Sequence, residues 1–255
     1  MNTGLSRALR YEVQNYSRSV AVLWLVMALI PAGILILSYL IAGRGNFESN
    51  FNGFSAATSV FGLVLGMVGL RENQRLLNQN GISRRTAFLA DAMALAAAAA
   101  LVAAGTTVIL GVYQAVLGPD SPVLITDLYQ VIYEPETAGV RLGTLVRGGV
   151  FSAATGWMLA GLGQLCSALY WRLNKFWTLV VSIGVPALLI FGSVPLANWL
   201  SATAAGRAAA EGLAAFSRFL VSSPWNAIVV FLAVGAVLFL LTWLLLRRAA
   251  IRAAK

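Results

Sequence analysis

The chain has 255 residues, of which 59% are hydrophobic and 11% charged, with a mean hydropathy of +0.80. A soluble domain carries about 25% charged residues, so a soluble globule is excluded, and so is a disordered chain, which needs high polarity and charge. One Cys and no His exclude an internal disulfide framework and remove the commonest metal ligand and general acid/base. An integral membrane protein remains, and its net charge of +9 reads as membrane topology before nucleic-acid binding.

Residues 1–19 predict an amphipathic helix. At 100° per residue, Leu5, Leu9, Val13 and Tyr16 fall within about 80° of one another, with Arg7, Arg10, Gln14 and Arg18 opposite. A basic face beside an apolar stripe suits a helix lying on the cytoplasmic membrane surface.

Crossing a roughly 30 Å hydrocarbon core takes about 20 apolar residues. Six stretches qualify: 20–43, 53–70, 88–117, 148–170, 178–200 and 227–246. The first exceeds the roughly 7–15 residues of a signal-peptide core and reads as a retained anchor. The third is charged only at Asp91, near its start, and the fifth contains Pro186 and Pro195. Helices are the expected form, because lipid leaves no other way to satisfy the backbone of an open segment. Gly62 and Gly66 form a GxxxG, and Ser152, Gly156 and Ala160 recur every fourth residue. Such spacing predicts close helix packing within the chain.

Between the second and third spans, residues 71–87 form a short basic loop. Asn80-Gly81 is a helix stop, and Ser83 is placed to cap the next helix. The loop reads either as a compact helix-turn-helix that docks a partner or as a solvated turn whose arginines set topology. On the other side, Gly118–Thr144 is long and acidic, with Leu124, Leu128 and Val131 or Ile132 predicted on one face of a short helix. Segment 201–226 predicts a second outer helix, with Arg207, Glu211 and Arg218 opposite Leu213, Phe216 and Leu220, lying on or dipping into the outer leaflet. Trp225 marks the start of the last span.

Six spans place both termini on one side. That side carries 13 of the 18 Lys and Arg residues, against 5 on the other, which makes it cytoplasmic. Asp91 is expected to pair with a loop arginine, and Arg147 to snorkel or to pair with Glu134 or Glu136. The spans leave no carboxylate or His at mid-membrane, which argues against a proton-coupled carrier. Cys166 reads as a packing residue, no metal-ligand cluster or catalytic constellation is expected, and no GxxxxGK[ST] phosphate loop occurs. Energy for uphill work must come from another chain.

Taken together, these features resemble the membrane subunit of an ABC exporter of the six-helix class. The most specific stretch is Asn80-Gly81-Ile82-Ser83-Arg84-Arg85-Thr86, similar to the Gly-x-Ser-Arg coupling segment that leads into the third span of such permeases. The resemblance implies an all-α polytopic fold, a second permease chain, and a separate cytoplasmic ATPase that binds ATP and Mg. It implies that Leu76, Leu77, Gly81, Ile82, Ser83, Arg84 and Arg85 contact that ATPase. It further implies export of an amphipathic or hydrophobic cargo (a peptide such as an antimicrobial one, a lipid or a drug) across the cytoplasmic membrane of a prokaryote. Arg147, Phe61 and Phe191 are candidate path residues. No cofactor on this chain and no nucleic-acid partner is expected. The competing reading is a non-transporting membrane partner, such as an immunity or sensor subunit.

Overall fold

A computed structural model describes residues 3–42, 49–51, 54–117, 123–134, 141–191, 195, 198 and 202–247. Helices dominate. In chain order they are α1 (Thr3–Ala42), α2 (Phe54–Gln79), α3 (Arg84–Leu117), α4 (Leu128–Tyr133), α5 (Leu142–Arg172), α6 (Lys175–Phe191), α7 (Ala204–Ser222) and α8 (Pro224–Leu246). Two three-residue strands, β1 (Ser49–Phe51) and β2 (Val123–Ile125), pair in parallel with Asn50 opposite Leu124. The sequence pattern gave no sign of this pair.

Three described helical segments are long and apolar enough to cross a membrane: Gly4–Ser38 of α1, all of α3 and all of α8. Their outward faces are lined by exposed aliphatics such as Leu29, Val108 and Val229, each more than 60% exposed. Apolar surface of that extent calls for lipid or another apolar cover. The other predicted spans fall on α2, α5 and α6. The second half of the predicted fifth span lies largely outside the described residues.

The core is built on α5, which packs most extensively against α2, then α8 and α3, while α1 lies along α3. Lipid offers no hydrophobic drive between helices, so close van der Waals fit decides the packing. The small residues supply it. A Cβ added at Gly62 would come within 2.5 Å of the Gly156 carbonyl oxygen; Gly66 lies against Ala160 and Gly163 against Leu63 in the same backbone-to-backbone manner. The predicted small-residue spacing is thus a seam between α2 and α5. On the far side of α5, Trp157 stacks on Phe239 of α8 at 5.2 Å. Gly161 and Gly235 leave room for these rings.

The expected separate surface helix over residues 1–19 is corrected: α1 continues without a break into the apolar segment, passing Pro31. Forty residues at 1.5 Å each make it about 60 Å long, twice the hydrocarbon thickness. Its buried stripe is Ala8, Glu12, Tyr16 and Val20, four residues apart, so the inward face follows one helical row from the N-terminus onward. The polar face is as expected, with Arg7, Arg10, Gln14 and Arg18 exposed. The inner face packs on protein because α3 offers a matching row at Ala87, Ala90 and Ala94.

Candidate functional site

The first candidate is the α2–α3 turn, built by local sequence. Gly81 adopts φ +76°, a left-handed conformation that costs glycine nothing. Gly81 N donates to the Asn78 carbonyl at 3.1 Å and Ile82 N to the Leu77 carbonyl at 3.0 Å, the hydrogen-bond pair of a Schellman stop. Ile82 and Leu77 then meet in one apolar cluster with Ala8, Ala87 and Ala90. Two residues on, the Ser83 hydroxyl accepts from Thr86 N at 3.2 Å and shares a 2.8 Å hydrogen bond with the Thr86 hydroxyl. Ser83 thereby caps α3, as its position predicts.

The turn projects beside the first turns of α1. Gly4, Leu5, Arg7 and Tyr11 on α1 face Leu76, Asn80, Gly81, Ile82 and Thr86 across an open cleft of about 850 Å³. Of the seven residues assigned by resemblance to partner contact, Leu76, Gly81, Ser83, Arg84 and Arg85 are exposed and Ile82 is half-buried. Leu77 is buried. It holds the turn against α1 and α3, so its role is structural support. Gly4 and Tyr11 line the same cleft and were not anticipated, although Tyr11 follows Arg7 by one helical turn.

The candidate path residues are not brought together. Phe61 packs in the seam among α2, α3 and α5. Phe191 is 78% exposed at the end of α6. Arg147 bridges Glu134 at 2.9 Å, one of the two pairings expected for it; Glu136 lies outside the described residues. The Thr144 hydroxyl donates to the other Glu134 oxygen, and the Tyr129 hydroxyl donates to Glu134 at 3.1 Å. The Thr144 hydrogen bond, then that from Tyr129 and the charge of Arg147, hold the Glu134 carboxyl below the usual carboxylate range.

A second polar cluster was missed. Asp91, fully buried, pairs with no arginine among the described residues, where a loop arginine was expected. The Tyr16 hydroxyl donates to one of its oxygens at 2.6 Å and Gln164 donates to the other. Glu12 is equally buried and accepts from the Asn73 amide. Buried carboxylates therefore meet between the helices near the start of α3; the sequence placed Asp91 there without Glu12 beside it. Two signals pointed to them. Glu12 follows Ala8 and precedes Tyr16 at four-residue spacing on the inward row of α1. Gln164 is a long polar side chain inside an uncharged span.

The predicted apolar face of α4 forms, except that Leu124 lies in β2. Leu128, Val131 and Ile132 are exposed, whereas Tyr129 and Gln130 are buried. Tyr129 packs on Phe151 at 5.9 Å, and Gln130 accepts from Asp127 N at 3.0 Å and from Gln114 at 2.9 Å. Helix α7 forms as expected, capped by the Thr203 hydroxyl accepting from Gly206 N at 3.0 Å. Its apolar residues Leu213 and Phe216 are exposed.

Comparison with protein-family models, with curated proteins and with solved structures found no match to this chain.

Proposed function

We propose that the chain is the permease subunit of an ATP-driven ABC-type exporter in the cytoplasmic membrane of a prokaryote, with six spans and both termini inside. The observation that carries this reading is the α2–α3 turn. It is an exposed basic knob, fixed by a Schellman stop and an N-cap and braced by α1 through Leu77 and Ala8. A solvated topology loop has no need of such bracing, whereas a coupling element must transmit force without bending. Its contact set is Leu76, Gly81, Ile82, Ser83, Arg84 and Arg85, with Arg7 and Tyr11 of α1 beside it. ATP and Mg are bound by the partner ATPase, and the permease supplies the path together with a second permease chain. The sparse charge of the spans favours an amphipathic or hydrophobic cargo.

The test is reconstitution of the full chain with an ATPase subunit that co-purifies with it. Charge reversal at Arg84 and Arg85 is expected to weaken the complex or to uncouple hydrolysis from transport. A double variant with intact assembly and coupled transport contradicts the assignment. An assembled complex that moves no amphipathic cargo favours a sensor or immunity role.

A further inference from the structure

We propose that Glu12, Tyr16, Asp91 and Gln164 form a buried site for one singly charged cation, a proton or an alkali ion, that halves the charge of the two carboxylates at the joint between α1 and the rest of the bundle. The inference goes beyond the ATPase reading and does not depend on it.

The site lies where four helices meet. Glu12 and Tyr16 come from α1, Asn73 from α2, Asp91 from α3 and Gln164 from α5. Asp91 lies seven residues into α3, about 10 Å from its cytoplasmic start. Glu12, Asp91 and Gln164 each have no exposed surface. The two carboxyl groups are joined through their donors: the Tyr16 hydroxyl, bound to Asp91, and the Asn73 amide nitrogen, bound to Glu12, crowd the same Cβ position at Gly69. No ion pair joins a described Lys or Arg to either carboxylate, and Arg10, Arg75, Arg84 and Arg85 are exposed.

The hydrogen bonds alone do not satisfy the cluster. Asn73, Tyr16 and Gln164 each donate once into the cluster. One oxygen of Glu12 and the amide oxygen of Gln164 are buried without any partner. Two orphaned acceptors beside two carboxylates ask for a positive charge, because an uncompensated buried charge is strongly unfavourable. Among the described residues no group of three or more His, Cys, Asp or Glu is placed to hold a metal. Two carboxylates without further anionic ligands suit a single positive charge better than a divalent ion.

Occupancy would join α1, which braces the cytoplasmic turn, to α2, α3 and α5. The test uses the purified full chain in lipid nanodiscs, with its unfolding midpoint followed by tryptophan fluorescence. Na+ or K+ replaces choline at constant ionic strength, and pH is varied in a parallel series, for the wild type, Glu12→Gln and Asp91→Asn. If an alkali ion fills the site, the wild-type midpoint rises by equal steps per tenfold increase in that ion above its dissociation constant, and both variants lose the rise. If a proton fills it, alkali ions have no effect. The wild-type midpoint then falls as pH is raised, both variants flatten that fall, and the infrared spectrum shows the carbonyl band of a protonated carboxylic acid that weakens in the variants. A wild-type midpoint indifferent to alkali ions and to pH overturns the proposal. So does an ion or pH response that either folded variant retains in full.

Discussion

At Gly66 there is no space for a side chain, because the Ala160 carbonyl of α5 occupies it. Gly66→Val is therefore expected to force α2 and α5 apart and cost about 1–3 kcal/mol, read as a lowered unfolding midpoint in detergent. Gly184→Ala, where nothing lies within 4 Å, is the control and leaves the midpoint nearly unchanged. Glu134 gives a pH prediction. Its folded carboxyl is held below the ordinary value of 4.5, so its stabilisation is present above that value and disappears as pH falls through the lowered one. The stability difference between the wild type and Glu134→Gln should shrink to nothing in acid; a difference that persists or grows there contradicts the assignment. Residues whose partners are local were legible in the sequence: the Ser83 cap lies three residues from its donor, and Glu134 thirteen from Arg147. The Asp91 partners were not, because Tyr16 and Gln164 are 75 and 73 residues away and only packing of three helices brings them together.

Among the elements, the α2–α3 turn depends most sharply on one backbone conformation. Gly81→Val places a β-branched residue at φ +76°, which costs roughly 1–2 kcal/mol and removes the Schellman geometry that aims the knob. Loss of stability with concurrent loss of partner binding is expected. Ser83→Ala, which removes only the cap, should cost about 1 kcal/mol and leave binding largely intact. The positions of the helices were legible from hydrophobic runs and from Asn80-Gly81. The length of α1 was not, since the basic residues Arg7, Arg10 and Arg18 imitate the polar face of a surface helix. The inward row is what distinguishes them: Ala8, Glu12 and Tyr16 continue in register with Val20. The direction in which the α4 face points was not legible either. Apolar periodicity finds a stripe, but the stripe faces outward in a membrane protein, and the aromatic Tyr129 with its hydroxyl satisfied at Glu134 takes the interior.

For the whole molecule, the basic asymmetry predicts topology. With Cys166 replaced by Ala, a single Cys introduced at Ser83 should react with a membrane-impermeant thiol reagent only from the cytoplasmic side, and one at Ser217 only from outside. Labelling of both from one side contradicts six spans. Membrane character was legible from composition alone, and the three apolar helices bear it out. The energy source was legible only as an absence of phosphate-binding sequence, which is why the account turns on a partner. Its central claim is that this partner docks on the α2–α3 turn. The most direct measurement is the amount of ATPase subunit retained per permease chain on purification from membranes that make both. The wild type should retain it stoichiometrically, whereas the Arg84→Glu, Arg85→Glu variant should lose most of it with an unchanged unfolding midpoint. A wild-type chain that retains none, or a variant that retains as much as the wild type, would contradict the account.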